Sequence, residues 1–172
     1  SAGSTLNNTA SVTAADTHSA SPTEQRNAAG ASGSDSVTVN QPAVTKTLTD
    51  TEIDNSLGTD NNDDTQAVVG ELVTYTIQID VPDGVTPGMV LTDTLDEGLG
   101  FVRLVSITPD ADVSTSIGPG DFSTVTPSVD GTGRVVTYTL GDVTNGNTDD
   151  ASATETIQSI TIVYEALVTD VP

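Results

Sequence analysis

The chain has 172 residues, a formal net charge of −21 and only four basic residues. So few Lys and Arg cannot neutralise a run of phosphates, which excludes nucleic acid as a partner and argues against anionic membrane surfaces. No cysteine is present, so disulfides, thiolate metal sites and thiol catalysis are excluded too. No stretch is long and apolar enough to cross a bilayer as a helix. The absence of an initiator Met and of a signal peptide suggests a mature form, or a repeat cut from a longer chain.

Aromatic content is 3%, so the core must rest on Val, Ile, Leu and Thr, residues that favour strands. In chain order, residues 5–14 alternate as a strand, and residues 15–34, rich in Ala, Ser and Gly, read as a flexible loop. Residues 36–39 (Ser-Val-Thr-Val) form a second short strand, and Gln41-Pro42 marks a domain boundary. The main body opens with a strand over 43–49, followed by an acidic loop over 50–66. Residues 70–81 carry the clearest alternation. Turns are expected at 82–84 and 87–88, strands at 89–95 and 101–107. The stretch 109–133 reads as loop with one short strand near Phe122. Residues 134–140 and 157–168 are strands on either side of a second acidic loop, 141–154.

Short strands at this spacing, separated by Gly and Pro turns, predict an all-β sandwich of six or seven strands over 43–172, preceded by a two-strand arm over 1–40. Read end to start, Ala166–Pro172 and Ser1–Val12 give strand, turn, strand, as in a hairpin. The body thus lacks its last strands and the arm lacks a body. Donation of the arm to the next copy completes both, with Leu6, Ala10, Val12, Val37 and Val39 as the apolar contacts. Folding of the arm back onto its own body is the other arrangement the sequence permits.

The body resembles cell-surface repeats of bacteria and archaea with the DUF11 pattern and the related fimbrial isopeptide-forming domains. The resemblance is carried by Val44-Thr45-Lys46-Thr47, by Gly70 to Ile77, and by Thr92-Asp93-Thr94-Leu95-Asp96-Glu97-Gly98-Leu99. The family's closing Asn-Thr-Ala-Ser-Val and Ser-Val-Thr-Val strings stand here at the N-terminus, as Asn8–Val12 and Ser36–Val39, so the match is complete only when the chain is read circularly. The usual Pro after Asp-Thr-Leu is replaced by Asp96. The resemblance implies a secreted, immunoglobulin-like structural domain in a stalk, adhesin or surface layer. Arm donation makes identical neighbours the expected partners, and an enzyme is the weakest expectation, since no catalytic constellation beyond self-crosslinking stands in the sequence.

It also implies a reactive set. Lys46, the chain's one lysine, stands where isopeptide-forming members carry theirs; Asn8 matches the acceptor and Asp93 the assisting acid. Burial favours the neutral forms of an amine and an acid, so an uncharged amine can attack a carboxamide while the acid moves protons. The plainer alternative makes Lys46 an edge-strand gatekeeper and Asp93 a turn-side hydrogen-bonding residue.

The acidic loop holds part of a calcium pattern. Asp60, Asn62, Asp64 and Glu71 match the oxygen spacing of an EF-hand, but Thr65 replaces the sixth-position Gly and a strand follows. The expectation is a calcium loop of another geometry, against a simply solvated acidic loop. Asn145, Asn147, Asp149 and Asp150 form a weaker cluster. His18, the single histidine, falls in the 15–34 loop without a catalytic context, and the tyrosines read as core. A homopolymeric extracellular filament is therefore the first expectation; a monomeric, calcium-stabilised adhesin or ligand-binding domain is the second.

Overall fold

The computed structural model describes residues 3–12, 30–51, 66–147 and 157–170. The described residues form strands, with no helix among them. The chain divides into two compact units, Ser1–Gln41 and Pro42–Pro172.

The first unit is an antiparallel hairpin of β1 (Thr5–Val12) and β2 (Ala31–Thr38), in register from Thr5 opposite Thr38 to Val12 opposite Ala31. Gly3 N donates to Val39 O at 2.8 Å and Val39 N to Ser4 O at 2.9 Å, which extends the ladder. The strand β2 begins within the segment read as loop. Ala31 to Ser34 have weak strand preference of their own, but each completes a ladder position opposite Thr9 to Val12. Residues directly opposite share a face. Leu6, Asn8, Ala10 and Val12 therefore lie with Val37, Asp35, Gly33 and Ala31, while the other face is Thr, Ser and Asn7. Both strands are exposed along their whole length.

The body is a sandwich of eight strands. One sheet runs β3 (Ala43–Thr51), β4 (Leu72–Asp80), β10 (Ser159–Val168), β6 (Leu99–Pro109). The other runs β5 (Gly84–Thr94), β9 (Val135–Asn145), β7 (Val113–Thr115), with β8 (Ser128–Val129) also on β9. All pairings are antiparallel. Alternation turns Val73, Ile77 and Ile79 of β4, Val136, Tyr138 and Leu140 of β9, and Ile160, Ile162, Tyr164 and Ala166 of β10 into one buried core. Among the described residues β3 pairs with β4 alone and β5 with β9 alone, so both are edge strands.

The sandwich agrees with the sequence reading in class and differs in detail. Pro87-Gly88 is not a turn between elements but a bulge inside β5, where the register shifts between Thr86 and Met89. An edge strand tolerates the missing proline N–H, and Gly88, at φ 58°, turns its own N–H onto Asp142 Oδ1 at 2.7 Å. Phe122 lies in a turn, not a strand. Its φ is 64° and its side chain is buried, so the turn is held by the ring it delivers to the core. The short strands of this region are β7 and β8 instead. The strand β9 runs on to Asn145, through residues expected to be loop, because Val143 and Asn145 pair with β5 and β7.

Candidate functional site

The site lies between β3 and β5, one edge strand from each sheet of the body. Lys46 is on β3 and Asp93 on β5, in opposite sheets. Lys46 Nζ donates to both Asp93 oxygens at 2.8 Å. The lysine side chain is 32% exposed and that of Asp93 10%, so the pair closes the flank of the sandwich with its acid inside. Tyr164 OH donates to Asp93 Oδ2 at 2.6 Å. The ammonium also lies 4.5 Å from the Tyr75 ring centroid and 5.5 Å from that of Tyr164. The two rings stack at 5.5 Å, and Phe101 tilts against Tyr164 at 5.8 Å. Cation–π attraction and the ion pair thus hold the lysine against an aromatic floor.

Cross-strand register assembles this group. Tyr75 and Tyr164 are directly opposite on β4 and β10, and Lys46 is opposite Ile77 on the neighbouring strand. On the other sheet Asp93 is opposite Val136, and Leu91 opposite Tyr138, so Tyr138 and Asp93 share the inward face. Tyr138 is fully buried, and its hydroxyl has no hydrogen-bond partner among the described residues. All three tyrosines of the chain thus belong to the inward-facing group around one carboxylate.

Burial first, and then the Asp93 charge, push the Tyr75 and Tyr138 hydroxyls up; for Tyr164 the hydrogen bond to Asp93 adds to burial. A raised tyrosine contributes stability that is fully present below its unfolded pKa, about 10, and is lost as pH rises above it. Alkaline titration followed by tyrosinate absorbance is therefore expected to show no ionisation near pH 10 while the body stays folded. Tyrosinate should appear together with the loss of β circular dichroism. Three tyrosines titrating at pH 10 in a folded body would contradict the site as described.

The structure brings Lys46 and Asp93 together within the body, whereas Asn8 belongs to the hairpin unit. From the sequence the three tyrosines read as core; sheet order and register are what turn them toward Asp93. Leu6, Val12, Val37 and Val39 are exposed, by 54%, 62%, 62% and 36%, and Ala10 with them. Asp60, Asn62, Asp64, Asp149, Asp150 and His18 lie outside the described residues. Glu71 is buried, and its Oε2 accepts Val68 N at 2.7 Å in the turn that precedes β4. Gly70, at φ 93°, occupies the position of that turn that needs a left-handed residue. Asn145 is buried as well. Its amide donates to Val81 O at 2.9 Å and Asp83 Oδ1 at 3.0 Å, and its Oδ1 accepts Asn147 N at 3.0 Å. Among the described residues no group of three or more acidic or histidine side chains could hold a metal ion.

No family model and no curated protein matches the chain. Among solved structures, the full-length major pilin SpaD from Corynebacterium diphtheriae is similar to it at 17% identity and a TM-score of 0.44. The alignment covers 76% of this chain and 27% of that one, a minor part of the pilin.

Proposed function

We propose that the chain is a structural link of an extracellular filament, joined head to tail when the hairpin of one copy adds to the body of the next. The observation that carries this reading is the hairpin's uncovered apolar face, with Leu6, Val12 and Val37 each more than half exposed. A two-stranded hairpin is marginal in water on its own, and such a face gains about 25 cal/mol for each Å² of apolar surface it covers. The body has edges to receive it: β3 and β5 each leave one side unpaired among the described residues. Val44, on the same face of β3 as Lys46, is itself 54% exposed. Ladder hydrogen bonds to such an edge supply affinity and register.

The junction is then locked by Lys46, Asp93 and the Asn8 of the neighbouring copy. Covering the site with apolar side chains removes water, and the lysine ammonium passes a proton to the Asp93 carboxylate. The free Nζ attacks Asn8 Cγ, the Cγ–Nδ2 bond breaks, and Nδ2 leaves as ammonia. Asp93 gives the leaving nitrogen the proton it took, then takes the second proton from the attacking nitrogen and passes it to the departing ammonia, ending as a carboxylate; the balance is one lysine ammonium and one carboxamide in, one amide and one ammonium ion out.

Denaturing electrophoresis of the native assembly, with intact mass of each band, tests both steps. The expected result is a ladder of multiples, each junction lighter by one ammonia, and its loss in Lys46→Ala. A single unit-mass band from material that was polymeric before denaturation would remove the covalent lock and leave strand addition. Strictly monomeric native protein would overturn the filament.

A further inference from the structure

We propose that Tyr138 is the receptor for the incoming Asn8: its hydroxyl donates to the side-chain carbonyl of Asn8 from a second copy and holds that carbonyl toward Lys46. This rests on the strand-addition reading above and names a recognition element within it.

The argument is one of matching deficits. On the hairpin's apolar face Asn8 stands between Leu6 and Ala10, and when that face is covered its amide loses water and must find partners. The body contains one buried side-chain polar atom without a partner among the described residues, and it is Tyr138 Oη. A buried hydroxyl left unpaired is destabilising, so its persistence in the core calls for an acceptor that arrives later. The acceptor must enter the inter-sheet space beside Asp93, because Tyr138 faces inward opposite Leu91, two residues from Asp93. The Asp93 charge acts on the Tyr138 hydroxyl, which agrees with that placement. Of the other two hydroxyls around Asp93, that of Tyr164 is already given to the carboxylate, and Tyr75 is only partly buried, so water can serve it. Asp35, opposite Asn8, brings a carboxylate on the outer strand if β1 is the strand that adds, and its Oδ1 already accepts Ser36 N at 2.8 Å.

A donor on the Asn8 carbonyl does two things. It fixes the strand register, since a slip of one residue would turn Asn8 to the opposite face. It also meets the negative charge that grows on the carbonyl oxygen as Lys46 adds to Cγ, the part played by one donor of an oxyanion hole.

The test is Tyr138→Phe in the full chain, which keeps the ring and removes only the hydroxyl. Two readouts are taken: the melting temperature of the unassembled protein, and the rate at which the crosslinked ladder forms. The expected result is a melting temperature equal to or above that of the parent, with ladder formation slowed about 10²–10³-fold, the usual effect of losing one oxyanion donor. Ladder formation at the parent rate would overturn the role of Tyr138 and leave the filament reading intact. A clear fall in melting temperature would overturn it as well, by showing that the hydroxyl already has a partner inside its own body. Absence of any ladder in the parent protein would remove the covalent lock, and this inference with it.

Discussion

Replacing Leu6 and Val37 together by aspartate is expected to abolish assembly while leaving the body folded. The two residues are directly opposite on the hairpin and are the largest apolar pair on its exposed face. Burying side chains of this kind contributes about 1.5–3 kcal/mol each. Losing both terms weakens a junction by about 10²–10⁴-fold, and two carboxylates on a face meant to be covered weaken it further. Sedimentation velocity at concentrations where the parent polymerises gives the answer, with circular dichroism as the control for the body. A second control is Ser11→Asp, on the polar face of β1, which is expected to assemble like the parent. Filaments of normal length from Leu6→Asp/Val37→Asp would show that this face is not the joining surface.

Asp93→Ala is expected to be the most damaging single truncation at the site. It strands the Tyr164 hydroxyl in the core and leaves Lys46 without its counter-charge. Breaking a buried ion pair from one side costs about 3–5 kcal/mol; Lys46 is one-third exposed here, which lowers the expectation to about 2–4 kcal/mol. For a body of this size that is a fall in Tm of roughly 10 °C. Lys46→Ala should cost less, because water reaches its position and Tyr164 still satisfies one Asp93 oxygen. Asp93→Asn should fall between them, since an amide oxygen can still accept from Tyr164. Thermal melts of the three variants rank the effects. Equal losses for Asp93→Ala and Lys46→Ala would mean that the ion pair alone, and not the tyrosine bond, is what Asp93 provides.

Much of the body was legible in the sequence because burial on one face leaves a two-residue period. The inward residues of β4 are the apolar members of an alternating run, and the strand lies where that alternation places it; in β10, Val163 and Leu167 put apolar residues on the other face as well. The reading failed where local preference and tertiary demand part. Pro87 and Gly88 look like a turn, yet an edge strand can absorb them as a bulge. Ser32 to Ser34 look like loop, yet β1 supplies the partner that makes them strand. Phe122 looks like strand, yet the core draws its ring in from a left-handed backbone. Lys46 and Asp93 could be singled out as types standing in a recognisable pattern; the company they keep could not.

What the sequence determined by itself is the class of the protein. Its charge, its lack of thiols and its Thr- and Val-rich alternation make it an acidic all-β chain with no basic surface for phosphates. What only the tertiary structure decided is which residues meet. Lys46 and Asp93 are 47 positions apart and Asp93 and Tyr164 are 71 apart. Side-chain alternation along one strand says which way a residue points but not what stands opposite it in the other sheet. That is set by sheet order and register, which put β3 and β5 on the flanks and turned all three tyrosines toward one carboxylate. The unpartnered hydroxyl of Tyr138 is a property of that packing, and no reading of the strand that carries it could have disclosed it.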